Sequence, residues 1–387
     1  MTSATDSPFR PEAFAEVCAA AGSRGAEIEQ LRRLPRDLVD DLIGTGVFRL
    51  WVPRAYGGAQ ADIQALLDAI EQAAYHDGST GWCVMIGGTT ALNAGYLPAE
   101  HAQEIYGDPR AVTGGFGRPV GRAVAVDGGL RVSGHWSWGS GTSHCTWIGG
   151  GTRVVDEAGD PARLADGTVA PFVYFPAGEV ELDDNWHVMG LKGTASVDYR
   201  VADAFVPEGR WAGMGAGPAV VDDPLYRFSL LGALGLGVAT VTLGLARRAI
   251  DELAELGTKV PDASSRSLAE RAPVQADLAR ADASVRSARA WMAEVVGAAW
   301  DAAADGKIGD EEKRRIRAAA NHAAAASAEA VDRCYTLGGG TAVFADSPLQ
   351  RIFRDVHVAT QHAMIAPRMW EPLGRMLLGL PTSTAQF

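Results

Sequence analysis

The stretch that decides the fold is VGRAVAVDGGLRVSGHWSWGSGTSHCTWIGGGTRVV, Val120 to Val155. Apolar and polar residues alternate along it, and Asp-Gly and Ser-Gly pairs interrupt it, as in strands joined by tight turns. TVAPFVYFPAGEVELDDN (Thr168–Asn185) and TASVDYRVADAFVP (Thr194–Pro207) continue the pattern. The chain on either side has another period. PEAFAEVCAAAGSRGAEIEQLRRLPRDLVDDLIGTGVFRLWVP (Pro11–Pro53) spaces its apolar residues as a helix does, with breaks at Pro35 and Gly46. A VPRAYGG turn and two further helical patterns, Ala61 to Leu97, follow. From Asp222 onward the pattern is helical again, with alanine-rich segments of high helix propensity such as RIRAAANHAAAASAEAVDRC (Arg315–Cys334). LGGGTAVFADSPLQR (Leu337–Arg351) reads as a loop between two of these helices. Helices on both sides of a strand-rich middle predict an α+β architecture. The expected parts are an N-terminal helical domain (1–110), a central β domain (111–215) and a C-terminal helical domain (216–387). No tandem repeat is present at a solenoid period.

Composition narrows the function classes. The 387 residues are 47% hydrophobic and 21% charged, with a net charge of −12. An acidic chain without a basic cluster is not expected to bind nucleic acid or an anionic membrane surface. Four cysteines, Cys18, Cys83, Cys145 and Cys334, stand far apart and read as free thiols in a reducing compartment. The N-terminal MTSATDSPFRPEAF lacks an apolar signal region, so a cytoplasmic location is expected. FSLLGALGLGVATVTLGLA (Phe228–Ala246) is uncharged and nearly long enough to span a bilayer. It carries several glycines and runs into Arg247 and Arg248, so a buried bundle helix is the expectation.

Common cofactor cradles are missing. The GxG of TGGFGRPVGRAVAVDGG precedes a strand pattern, whereas a dinucleotide fingerprint opens a helix. LKGTAS is not a phosphate-binding loop, because the upstream glycine is absent, and no HExxH occurs. His357 and His362, in RDVHVATQHAM, look like residues of one helix. Five positions place them about 140° apart around a helix axis. Ligands on one helical face need three or four, so no metal is expected there.

Several motifs, in order, resemble the acyl-CoA dehydrogenase fold over nearly the whole chain. PRAYGGAQADIQ resembles its first-domain YGG turn, and GHWSWGSGTSH its tryptophan–threonine flavin motif. DNWHVMGLKGTASVDYRVADAFVP resembles its β-domain segment, and LGGGTAVFADSPLQRIFRD the glycine loop and Arg-Asp of its last helices. The resemblance implies a β-barrel-like central domain and a C-terminal four-helix bundle. One departure is decisive. Dehydrogenases of the family commonly carry a glutamate base eight or nine residues after that Arg. Here those positions hold His362 and Ala363, and no carboxylate lies between Asp355 and Glu371. Proton abstraction from a thioester then has no obvious agent. His362, GLKGTAS and WSWGSG instead resemble the family's two-component flavin-dependent monooxygenase branch, which includes 4-hydroxyphenylacetate hydroxylase and dibenzothiophene monooxygenase.

The resemblance implies reduced FMN or FAD delivered by an NAD(P)H:flavin reductase, with O2 as co-substrate. A flavin C4a-hydroperoxide would transfer one oxygen atom to a small aromatic or polyketide-like substrate. Ser140 would lie at flavin N5, Trp138 against the flavin ring, and Trp136 on the same strand face if the strand is regular. Thr194, Ser196 and His144 would lie near the flavin. Gly339 and Gly340 would approach the flavin of a neighbouring subunit, implying a homotetramer. His362, titrating near neutrality, would be the general base or would orient the substrate. Trp82, Asn93 and Tyr96 are candidate substrate-lining residues, and Arg354 with Asp355 a structural salt bridge. Two rival readings are a dehydrogenase with a relocated base and tightly bound FAD, and a non-catalytic scaffold on this fold.

Overall fold

The structure, a computed structural model, describes residues 8–213, 219–258, 266–306, 308–384 and 387. The expected boundary at 215/216 and the first seven residues lie outside these. Six helices come first: α1 (Pro11–Ser23), α2 (Gly25–Leu31), α3 (Arg36–Thr45), α4 (Ile63–His76), α5 (Gly78–Thr90) and α6 (Ala99–Tyr106). Asp62 and Asp77 cap α4 and α5, each carboxylate accepting an N–H of the first turn. All but two residues of α5 are buried, because it lies between the strands and the later helices.

Seven strands follow: β1 (Thr113–Val126), β2 (Gly129–Gly139), β3 (Trp147–Val155), β4 (Phe172–Pro176), β5 (Glu181–Asp183), β6 (Val197–Pro207) and β7 (Trp211–Ala212). They form one mixed sheet in the order β5-β6-β2-β1-β3-β4-β7. The β1–β2 hairpin turns at Asp127-Gly128, where Gly128 has φ +73°, as the Asp-Gly pair predicts. β1 and β3 run parallel, and the other pairs are antiparallel. Trp136 fills the sheet's core. Its ring stacks on Tyr199 at 5.3 Å and its Nε1–H donates to the Gly151 carbonyl at 2.8 Å. A Cβ on Gly134 or Gly150 would stand 2.3 or 2.6 Å from that indole, which accounts for small residues at both positions.

The last part is helical: α7 (Pro224–Arg227), α8 (Leu230–Gly257), α9 (Ala272–Ala304), α10 (Asp310–Gly338), α11 (Pro348–Ala359) and α12 (Trp370–Leu377). The four helices α8 to α11 form the bundle. α8 contains the uncharged stretch, and 83% of its most apolar window is buried against protein. Its glycines are crossing points: a Cβ on Gly237 would meet Met85, and one on Gly244 would meet the α4 backbone. One continuous apolar core joins the N-terminal helices to the bundle, and a second fills the sheet.

Candidate active site

The site forms where four segments meet: the end of β2, the Leu191–Ser196 turn, α5, and the turn after α11. β2 and β6 lose register between Trp136 and Gly139. That irregularity puts Trp138 at φ +60°. Trp136 and Trp138 therefore do not share a face: Trp136 is fully buried, whereas Trp138 is 59% exposed. A large exposed aromatic in a left-handed conformation costs on the order of 1–3 kcal/mol of backbone strain, so its ring is presented rather than packed. The Phe116 ring stands tilted beside it at 5.8 Å.

The Leu191–Ser196 turn carries two more left-handed non-glycine residues, Leu191 (φ 49°) and Ala195 (φ 43°). Hydrogen bonds hold them. Leu191 N–H donates to Asp355 Oδ1 at 2.6 Å, and Gly193 N–H to Ser79 Oγ at 3.1 Å. The Leu191 carbonyl accepts from Trp186 Nε1–H at 3.1 Å and from Thr194 Oγ1–H at 2.8 Å. Gly141 N–H donates to the Thr194 carbonyl at 2.8 Å, which ties the turn to the end of β2.

Three hydroxyls run inward from the Leu191 carbonyl. Thr194 Oγ1 lies 2.7 Å from Ser196 Oγ, which lies 2.6 Å from Ser140 Oγ. Trp82 Nε1–H of α5 donates to Ser140 Oγ at 3.0 Å. All four side chains are buried. The Trp82 ring also meets the His362 imidazole edge-on, with centroids 5.6 Å apart. Sequence reasoning named Ser140, Thr194, Ser196, Trp82 and His362 separately, and here they form one contiguous group.

Several expectations need correction. α11 ends at Ala359, so His357 and His362 do not share a helix, and His362 opens the following turn. Met364 N–H donates to His362 Nδ1 at 3.3 Å, which leaves the ring proton on Nε2. Burial, and then the charge of Arg317, push the imidazolium down to about 4. His362 is therefore neutral at pH 7 and a weaker proton acceptor than an ordinary histidine. His357 Nε2–H donates to Asp332 Oδ1 at 2.8 Å. Arg354 pairs with Glu29 at 2.7 Å instead of with Asp355. Asp355 points into the buried interior, where burial raises its carboxyl to about 7.

The remaining candidates divide. His144 is buried beside Phe48, and burial, then the charge of Arg36, push it down to about 4. A Cβ on Gly141 would stand 3.1 Å from its ring, so that glycine and His144 fit together. Asn93, in the turn after α5, is buried with an Oδ1 that has no hydrogen-bond partner. An unpaired buried acceptor of this kind is a place for a polar ligand group. The Tyr96 hydroxyl is committed to the Tyr226 carbonyl, so it braces α7. Around Gly339 and Gly340 no described atom beyond their chain neighbours lies within 4 Å of a built Cβ, so packing does not require glycine there, although the left-handed backbone of Gly339 (φ +55°) does favour it. Sequence reasoning missed Ser79, the Leu191 carbonyl and Arg317. Arg317 is fully buried and donates to the Met364 carbonyl at 2.6 Å, thereby setting the His362 turn. Two surface hollows, one bounded by Glu71, Tyr75 and Arg247 and the other by Glu252, Thr341 and Phe344, contain none of these groups.

The residues fit a flat heteroaromatic ring such as flavin. Trp138 offers an exposed aromatic ring, and Ser140, two residues on, carries a buried hydroxyl that accepts from Trp82 Nε1–H and shares a hydrogen bond with Ser196.

Comparison with known proteins bears on the family. Residues 10–104 match the N-terminal domain of acyl-CoA dehydrogenase, and residues 236–367 its C-terminal domain. Indole-3-acetate monooxygenase of Pseudomonas putida is 32% identical over 360 residues, 92% of this chain and 90% of that one. The flavin-dependent monooxygenase oxygenase subunit HsaA of Mycobacterium tuberculosis is 31% identical over 372 residues, covering 92% of each. The solved structure of XiaF from a Streptomyces species, in complex with FADH2 and glycerol, superposes with a TM-score of 0.86 at 28% identity. That match covers 96% of this chain and 97% of the other. With the turn after α11 carrying histidine in place of a carboxylate, the chain belongs to the acyl-CoA dehydrogenase family and, within it, to the flavin-dependent monooxygenases.

Proposed function

We propose that this chain is the oxygenase component of a two-component system, using reduced flavin from an NAD(P)H:flavin reductase to oxygenate a small aromatic substrate. Reduced flavin supplies the electrons that activate O2, so that one oxygen atom enters the substrate and the other leaves as water. The observation that carries the reading is the shared indole of Trp82. Its N–H holds Ser140, and its ring edge meets His362. One side chain thus joins the hydroxyl that would face the flavin to the imidazole that would face the substrate. Trp138 would lie against the flavin ring, with Thr194 and Ser196 behind Ser140. FADH2 in the Streptomyces structure favours FAD over FMN. His362, neutral with its proton on Nε2, would orient a substrate oxygen by donating a hydrogen bond rather than act as a strong base. Trp82 and the unpaired Asn93 Oδ1 would line the same pocket. The name of the Pseudomonas relative supports an indole or phenol as the substrate class. Val343 and Phe344 are 61% and 64% exposed beside the open Gly339-Gly340 turn, which fits contact with further copies in a homotetramer. The unpaired thiols fit a cytoplasmic setting.

The test supplies reduced FAD or FMN from a generic reductase under 18O2, with a panel of indoles and phenols. A product carrying one labelled atom, formed only with reduced flavin, supports the reading. Reduction of tightly bound FAD by an acyl thioester, with no labelled product, overturns it in favour of a dehydrogenase.

A further inference from the structure

Every residue of α5 is buried except Ile86 and Thr90. These two stand one turn apart, and Trp82 stands one turn before them, so the three share one face of the helix. Trp82, at the start of that face, holds Ser140 and meets His362. Ile86 comes next, beside the start of β1: a Cβ on Gly114 would lie 3.4 Å from the Ser140 carbonyl and 3.8 Å from Ile86 Cγ2. Thr90 follows, with its hydroxyl 2.8 Å from that of Thr113. A buried helix that keeps accessible surface along one stripe borders a passage. This one leads from the Ser140–His362 site along about 12 Å of α5, from Trp82 to Thr90.

The far end of the passage is polar. The Tyr106 hydroxyl lies 3.2 Å from the Thr90 carbonyl and 3.4 Å from the Tyr174 hydroxyl. Asn93 follows Trp82 by about three helical turns, which keeps it on the same face, and its amide neighbours the Tyr174 hydroxyl. Thr113, Tyr106, Tyr174 and Asn93 are all buried. Within this group, and among the described residues, Asn93 Oδ1 is the buried polar atom left without a hydrogen-bond partner. An amide oxygen can only accept, so the partner it lacks is a donor.

We infer that the substrate occupies this passage, and that Asn93 Oδ1 and the Thr90 hydroxyl form a specificity subsite for a hydroxyl or N–H on the substrate edge remote from the oxygenated atom. The inference rests on the oxygenase reading above and deepens it, by naming a second polar group that the aromatic substrate carries. The near end of the substrate faces His362, its ring lies along Ile86, and its far donor reaches Asn93. Oδ1 accepts the hydrogen. Thr90, the polar member of the accessible stripe, meets the heteroatom that carries it. Tyr106 and Tyr174 hold the two in place from behind. Burial supplies the selectivity. A substrate with the donor pairs Oδ1, whereas an analogue of the same shape without it leaves that atom both dry and unpaired.

The experiment measures dissociation constants, on the protein loaded with reduced flavin without oxygen, for matched pairs that differ only by a distal hydroxyl or fluorine. The pairs are hydroxyindoles against the matching fluoroindoles, and dihydroxynaphthalenes against the matching fluoronaphthols. In the tightest-binding pair, wild type is expected to favour the hydroxyl member by about tenfold or more. Asn93→Leu should bring that ratio within about twofold of unity. Thr90→Val, which keeps the side-chain volume, should lower it about threefold, and Thr90→Ser should keep it. Melting temperatures show which variants are folded, and Thr90→Val decides alone if Asn93→Leu is not. An Asn93 that merely holds a buried water would weaken both members of a pair equally, so an unchanged ratio in a folded variant overturns the subsite. A wild-type ratio within about twofold of unity in every pair overturns it as well. The oxygenase reading is scored separately, by labelled product from the same compounds under 18O2. Product without a ratio sinks the subsite alone, and neither binding nor product sinks both.

Discussion

At the scale of single residues, His362 shows how surroundings redefine a side chain. Its position after the Arg354-Asp355 pair was legible as a replacement for the dehydrogenase glutamate, but its ionisation was not. A histidine read from sequence titrates near neutrality, whereas burial and Arg317 hold this one near 4. Above about pH 5 the ring is neutral, with Nδ1 accepting Met364 N–H and Nε2–H available. Below about pH 4 it gains a second proton and loses that acceptor. Product formation should therefore show no acid limb near pH 6.5 from this residue, and a fall only as pH approaches 4. His362→Ala should lower product formed per reduced flavin consumed by about tenfold, the worth of one hydrogen bond to substrate, and release hydrogen peroxide instead. His362→Gln, which restores a donor, should recover part of the yield. A wild-type acid limb centred near 6.5 that disappears in His362→Gln would overturn the donor assignment and restore that of a base.

At the scale of elements, the Leu191–Ser196 turn explains why some of the site was readable and some was not. GLKGTAS displayed its hydroxyls, and its glycines marked a turn. A leucine in a left-handed conformation leaves no trace in sequence, since the strain is held by partners far along the chain. Arg354 and Asp355 illustrate the same gap. Neighbours on a helix point about 100° apart, so a pair that looks like a salt bridge splits between Glu29 and the Leu191 N–H. Asp355 is buried facing Asp77, with Arg351 and Glu29 near enough to act through charge. Burial raises its folded value to about 7, from an ordinary value near 4. Between those values the folded protein holds a proton that the unfolded chain has lost, so this group's stabilisation is full below about pH 4 and disappears as pH rises through 7. The depressed histidines, His362 and His144, act in the opposite sense over the same range. Asp355→Asn keeps an acceptor for Leu191 N–H and removes the titration. In chemical denaturation from pH 4 to 8, its stability should rise with pH more steeply than wild type's, by a few kcal/mol over the window. Asp355→Ala also removes the titration but strands the buried Leu191 N–H, so it should be about 1–3 kcal/mol less stable than Asp355→Asn at every pH. Parallel pH profiles for Asp355→Asn and wild type would refute the assignment.

At the scale of the whole molecule, α8 joins the parts. Its length and apolarity were plain from sequence, and so was the helix–strand–helix order. The reason for its glycines was not, because each serves a different crossing partner. Gly244 is the tightest contact with the N-terminal helices: a Cβ there would stand 2.6 Å from the Glu71 carbonyl, 2.8 Å from Ala74 Cβ and 2.9 Å from Tyr75 N. These are mostly backbone atoms of α4, which cannot swing aside as a side chain can. Behind α4, Gly81 of α5 packs on Ala74 just as closely, its own Cβ position 2.6 Å from Ala74 Cα. A shift of α4 is therefore passed to α5, and α5 carries Trp82. Two effects oppose each other in Gly244→Ala. Helix propensity favours alanine by about 1 kcal/mol, while overpacking against rigid backbone costs about 1–3 kcal/mol. The clash wins because the contact is well under any real Cβ distance. Thermal unfolding should fall by a few degrees for Gly244→Ala. Affinity for reduced flavin should weaken with it, because the Trp82–Ser140 bond is displaced, although residue 244 lies outside the site. Gly297, on α9 with nothing within 4 Å of its Cβ position, is the control. Gly297→Ala gains the propensity without the clash and should raise the melting temperature while leaving flavin affinity unchanged. A stabilised Gly244→Ala with wild-type flavin affinity would show that α4 yields freely and that the crossing does not hold the site.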